Sequence, residues 1–226
     1  LSRNLNPVIA HRLGYTDRSP GKREQRFMRD LYTHLRNVYL VTRTLEQKLS
    51  LLTQPQRMPS LRQLIRSGRQ RALQQLFDGF KFVDGEIHPA TTRVFRDQPR
   101  RLIRVFLYAQ QRGFALHPDL TQLVRNHLSL VDRTFLRDRH VHETFLEIVN
   151  QRGNVAPILR SMHEVGLLGR YLPEFGRLTC LVQHEFYHRY TVDEHILVCL
   201  EKLDRIWDAK DPSFHRYAEI LQRIER

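Results

Sequence analysis

The chain has 226 residues, 41% of them hydrophobic and 27% charged, with a formal net charge of +13. That is globular composition, long enough for one large or two small domains, and apolar runs of only about five residues, as at Ile196 to Leu200, exclude a bilayer-spanning segment. The basic balance suits a nucleic-acid partner by electrostatics alone, but only five of the basic residues are Lys and the Arg residues are scattered through every segment, as on solvated helix faces. Two cysteines, Cys180 and Cys199, lie in no CxxC pair. They argue against a disulfide framework and a cysteine zinc site, and they fit a reducing cytoplasm. The chain opens on Leu1 without a signal-peptide pattern and stops at Arg226 within a helix-like pattern, so it reads as a segment of something longer.

In chain order, Phe27, Leu31, Leu35, Val38, Leu45 and Leu49 trace one long amphipathic helical stripe. "QPQRMPS" interrupts it, and Leu61, Leu64, Ile65, Ala72 and Leu76 begin another helix. "FKFVDGEIHP" predicts the one hairpin, near 80–88, with Asp84-Gly85 as its two-residue turn. Helices resume at "PRRLIRVFLYAQQRG", closed by Gly113, and at "PDLTQLVRNHLSLV" from Pro118. "HETFLEIVNQRG" and "NVAPILRSMHEVG" each end at a Gly suited to a left-handed cap. "LLGRYLPEFG" reads as a turn-rich connector, and two further helices follow it. The fold class is therefore all-α, mainly helical, with at most that one small hairpin.

"HEFYH", residues 184–188, matches the zinc-protease pattern H-E-x-x-H. Placed on a helix over 177–189, Leu178, Leu181, Val182 and Phe186 form the apolar stripe, and His184 and His188 share its flank. One metal could bridge them. The extended form of the pattern needs a third ligand six residues on, after a Gly turn. Position 194 is instead Glu, no Gly intervenes, and His195 comes one place late. The spacing favours a packed helix flank over a metal site.

"TVDE", Thr191 to Glu194, is a capping box, with Thr191 as N-cap and Glu194 reaching back. Ile196, Cys199, Leu200, Leu203, Ile206 and Trp207 then supply a buried stripe, with His195 at its edge. A lone His there reads as a satisfied, half-buried side chain, although the position also lets it line a cleft.

The stretch from 166 to 200 carries a more specific signal. Leu168 to Gly176 spell Leu-Gly-x-x-x-Pro-Glu-Phe-Gly, Gln183 follows, and Tyr190 to His195 spell Tyr-Thr-Val-Asp-Glu-His. With "HRLGY" (His11 to Tyr15), "RFMRDLYTHLRNV" (Arg26 to Val38) and "LRSMHEVGLLG" (Leu159 to Gly169), these residues resemble the family of bifunctional PII uridylyltransferase/uridylyl-removing enzymes, bacterial nitrogen sensors that modify the PII signalling protein. The resemblance is weakest around residues 50 to 80. It implies that residues 1–165 are a helical linker region following a nucleotidyltransferase domain, and that 166–226 begin an HD-type phosphohydrolase domain.

Within that resemblance, His195 is the first metal ligand of the HD-type domain, and the opening match at His184 and His188 is coincidental. The implied cofactor is a divalent metal, Mg2+ or Mn2+, which polarises the phosphoryl oxygen and supplies a nucleophile near neutral pH. The implied partners of the full-length enzyme are PII protein, UTP and UMP, and glutamine, in the cytoplasm. No His-Asp, Gly-Ser or Asp-x-Asp occurs in the 226 residues, so no complete active site is expected here. The rival reading is a non-enzymatic basic helical module that binds nucleic acid or protein.

Overall fold

The computed structural model describes residues 6–53, 75–182, 190–208 and 214–224. A short helix α1 (Asn6–Arg12) precedes the 34-residue α2 (Pro20–Thr53). Four short strands form one sheet in the order β1-β2-β3-β4: β1 (Gln75–Phe77), β2 (Phe80–Val83), β3 (Glu86–Pro89) and β4 (Ala115–Leu116). Between β3 and β4 run α3 (Val94–Asp97) and α4 (Arg101–Arg112). After β4 come α5 (Pro118–Asn126), α6 (Arg139–Val149), α7 (Ala156–Glu164), α8 (Leu167–Tyr171) and α9 (Pro173–Leu178). The last two described helices are α10 (Val192–Asp208) and α11 (His215–Ile224).

The fold is mainly helical, as the periodicity predicts. The predicted hairpin is present as β2–β3, with Val83 opposite Glu86. Asp84 and Gly85 both take positive φ, 48° and 82°, as its turn demands. It does not stand alone, however. A second Asp-Gly pair, Asp78-Gly79, turns β1 onto β2 in the same way, and β4 adds to β3 in parallel. Leu76, expected on a helical stripe, lies instead in β1, opposite Lys81 of β2. The rest of that predicted helix lies outside the described residues.

Helix α4 forms the centre of the core. Leu102, Ile103, Val105 and Phe106 are fully enclosed, so the helix is apolar around most of its girth. It packs against Phe80 and Ile87 of the sheet and against Val141, Ile148 and Met162 from α6 and α7. The first Asp-Gly turn is tied to it at one corner. Asp78 accepts hydrogen bonds from Arg101 Nε (3.0 Å), Arg104 Nη2 (3.2 Å) and the Tyr108 hydroxyl (2.9 Å), three positions on one helical face. Burial and the Asp78 bond push the Tyr108 hydroxyl up to about 12. At the far end, Gln110 donates to the Ile148 carbonyl in the last turn of α6 and to the Asn154 carbonyl in the loop before α7.

Gly113 and Gly166 sit in the left-handed region after α4 and α7, as predicted. The "LLGRYLPEFG" connector folds instead into two short helices, α8 and α9, which cross at a glycine pair. A Cβ on Gly176 would lie 2.5 Å from the Gly169 carbonyl oxygen. The glycines in this stretch therefore serve close backbone approach rather than turns.

The long stripe on α2 is mostly not core. Phe27 is buried, but Leu35, Val38 and Leu45 are each more than half exposed. The helix runs along the surface and is held largely by arginines. Arg36 donates to the His163 carbonyl (2.7 Å) and Arg29 to the Arg177 carbonyl (2.8 Å), while Arg43 pairs with Glu164. These carbonyls lie in the last turns of α7 and α9, where unsatisfied acceptors and the helix dipole favour a cation.

The crossing predicts a specific sensitivity. Gly176→Ala should destabilise the chain by about 2 kcal/mol through forced backbone separation, lowering Tm by roughly 4–8 °C. Gly85→Ala, where no atom lies within 4 Å of the added Cβ, should cost only the strain of a positive φ, about 1 kcal/mol. Thermal denaturation of the two variants side by side checks the ranking.

Candidate functional site

The site region is an antiparallel seam between α7 and α10. Asp193, Leu197, Glu201 and Asp204 recur at four, four and three residues and so share one face of α10. Each carboxylate on or beside that face finds a partner on α7. His163 Nε2 lies 3.0 Å from Asp193 Oδ2. Arg160 bridges Glu194 at 2.7 Å and Glu201 at 2.7 Å, and Asp204 accepts from the Ala156 N–H at 2.7 Å. The last contact caps the first turn of α7 with a residue 48 positions away.

The His163–Asp193 pair is enclosed, with His163 3% and Asp193 1% exposed. Burial alone would raise the Asp193 carboxyl. Burial is the largest single influence, but the hydrogen bond from His163, those from the Thr191 hydroxyl and the Cys180 N–H, and the attraction of His163 together outweigh it and hold the carboxyl below its ordinary value. The carboxylate is thus the acceptor, and His163 Nε2 carries the shared hydrogen. Cys180 reaches the site from a left-handed turn, φ 55°, just after α9. Its thiol is buried and pushed up by that burial. Both cysteines are free.

The sequence-derived face of α10 is thereby corrected. Leu197 is fully buried, whereas Cys199 and Leu203, expected inside, are exposed. The face of this helix turned to α7 is marked by acids as well as by Leu197, not by a continuous apolar stripe. The helix starts where the box predicts, with its first backbone bond from the His195 N–H to the Thr191 carbonyl at 2.8 Å, but Glu194 turns to Arg160 rather than back to the N-cap.

His195 stands two residues beyond Asp193, roughly 200° around the helix, and is exposed. Its Nε2 lies 3.7 Å from Cys199 Sγ, one turn on. Among the described residues no set of three metal-ligating side chains forms around it. His184 and His188 lie outside the described residues. The helix expected over 177–189 is not continuous, because α9 ends at Leu178 and the chain turns at Cys180.

Of the acids of the seam, the sequence assigns a role only to Glu194, as a helix cap; Asp193, Glu201 and Asp204 have none. Their signal is present: His163 lies in "LRSMHEVG" and Asp193 in "YTVDEH", two of the strings that carry the family resemblance. Which acid meets which base is a tertiary matter.

Comparisons with known proteins agree on the class. Residues 80–171 match the family described as "Uridylyltransferase GlnD third domain", a range that begins with β2 and closes with α8. Over nearly its whole length the chain is similar to larger proteins. It is 33% identical over 228 residues to a bifunctional uridylyltransferase/uridylyl-removing enzyme of Rhodopseudomonas palustris, covering 99% of this chain and 24% of that protein. It is 32% identical over 206 residues to a protein of the same name from Cereibacter sphaeroides, covering 91% of this chain and 22% of that one. No solved structure matches. The chain belongs to the family of bifunctional uridylyltransferase/uridylyl-removing enzymes, and it spans about a quarter of the length of these relatives.

The buried pair predicts a pH signature. Because the folded pKa of Asp193 is depressed, its contribution to stability is present above the unfolded carboxylate value and is lost as pH falls through the folded one. Asp193→Asn should therefore cost about 2 kcal/mol at pH 7, and the gap between variant and parent should close in acid, below the ordinary carboxylate value of 3.8. Urea denaturation of both chains as a function of pH measures the gap directly.

Proposed function

We propose that this chain is the joint between the third domain and an HD-type hydrolase unit in an enzyme that attaches UMP from UTP to PII protein and removes it again. In this reading residues 1–165 are the helical linker region after a nucleotidyltransferase domain, and residues 166–226 begin the HD-type unit. Glutamine would act elsewhere in the full-length enzyme, in the cytoplasm. The observation that carries the reading is the polarity of α10. One face is committed to α7 through Asp193, Glu201 and Asp204, and the other presents His195 to solvent.

The seam gives α10 a defined seat and angle on α7 of the third domain. His195 is then held on a helix rather than a loop, which fixes a metal ligand more precisely. The metal implied by the family, Mg2+ or Mn2+, would polarise a phosphoryl oxygen for hydrolysis. The residues present fit that role in part: His195 offers an exposed imidazole beside Cys199, while the acids of α10 nearest to α7 are engaged in the seam. The remaining ligands must come from outside the described residues, and by itself the chain should hydrolyse nothing. No described helix is long and apolar enough to cross a membrane.

In the full-length enzyme, His195→Ala should abolish metal-dependent release of UMP from modified PII while UMP addition survives. Both activities measured on one preparation separate site loss from misfolding. Release at the parental rate would make His195 a structural residue and remove the assignment.

A further inference from the structure

A second group of metal-ligating side chains lies on the sheet, on elements separate from α10. On β3, Glu86 and His88 point to one face, while Ile87 between them is fully buried in the core. β4 runs parallel to β3, with Ile87 opposite Leu116, and the next residue, His117, donates its N–H to the Ile87 carbonyl at 3.0 Å. That register sets His117 beside His88. Their rings stack with centroids 4.2 Å apart, and Glu86 Oε2 lies 3.6 Å from His88 Nε2.

One donor atom from each of the three side chains lies within 4.8 Å of the other two. Ligand atoms on a tetrahedral zinc at ~2.1 Å sit roughly 3.4 Å apart, so small rotations of part-buried side chains close the set. We propose that Glu86, His88 and His117 bind one zinc-class divalent ion, with a fourth position left to water. Two imidazoles and one carboxylate select zinc or cobalt over magnesium, which prefers an all-oxygen shell. The site is thus chemically distinct from the one proposed at His195.

The surroundings are suited to this. Burial and the neighbouring His117 hold His88 below its usual pKa. Asp119, at the start of α5, stands 3.6 Å from His117 Nδ1. In the metal-free chain Nδ1 accepts from the Asp119 N–H at 3.3 Å. Ligation through Nε2 moves the ring hydrogen to Nδ1, where the Asp119 carboxylate can accept it, the carboxylate–histidine arrangement that orients metal ligands. Lys48 from α2 pairs with the other oxygen of Asp119 at 3.3 Å. Lys81, opposite His88 on β2, is exposed and can swing away from a cation. The ion would clamp β3 to the entry of α5 across a strand of only two residues, the weakest pairing in the sheet.

The test uses the metal-free 226-residue chain, titrated with zinc against a chromophoric chelator, with thermal melting in zinc and in excess magnesium. Expected are one zinc per chain, a zinc-induced rise in Tm that magnesium does not reproduce, and visible absorption of tetrahedral type with cobalt. His88→Ala and His117→Ala should each weaken zinc at least tenfold and remove the rise, and Asp119→Asn should weaken it about tenfold. The double variant His184→Ala/His188→Ala should bind zinc as the parent does. Each rise is read against the same variant without metal, so a substitution that merely loosens the fold lowers the baseline without erasing the rise. Absence of zinc binding, equal binding by the His88→Ala/His117→Ala double variant, or loss confined to the His184/His188 variant would overturn the proposal. The last result would point to the H-E-x-x-H pair instead.

Discussion

The arrangement of this molecule around its candidate site depends on one enclosed contact, the hydrogen bond between His163 and Asp193. An ionised carboxylate that is 1% exposed is costly unless it is paired, and no other charged side chain in the seam is so completely removed from water. The requirement fixes the register of α10 on α7. A shift of one residue along α10 would withdraw Asp193 from His163 and turn Leu197 toward solvent. Arg160 and Asp204 then add partners whose geometry works only in that register. The seam is therefore better at specifying an orientation than at adding stability, since half-exposed ion pairs contribute little by themselves.

The same economy governs the arginines. Much of the excess charge sits on surface helices, yet several of these side chains have structural partners. Arg36 and Arg29 cap the ends of α7 and α9, and Arg101 and Arg104 hold Asp78 at the corner of the sheet. A guanidinium can satisfy a helix C-terminus without giving up all its hydration, which suits a long helix lying across the ends of shorter ones. The net charge of +13 is in part the by-product of this packing and not a measure of affinity for nucleic acid.

Local chemistry was legible wherever a residue type permits few conformations. Asp84-Gly85 announced its turn, Gly113 and Gly166 their helix ends, and Pro118 the start of α5. The equivalent signal at Asp78-Gly79 was equally plain, but the apolar residues before it also fitted a helix, and β1 is too short to show alternation. Gly169 and Gly176 looked like turn residues because a glycine needed for close approach and one needed for positive φ are the same letter.

From the sequence alone came the helical class, the hairpin, the family and the singling out of His195, because periodicity, turn chemistry and ordered motifs are properties of the chain read locally. The tertiary structure alone decided which side of α10 faces inward, that Asp193 is paired with His163, and that Glu86, His88 and His117 meet. The reason is physical. A buried face normally declares itself by apolar residues, but α10 is seated through acids, whose partners lie 30 to 48 positions earlier in the chain. A parallel strand pair likewise brings together residues whose neighbourhood no local pattern records.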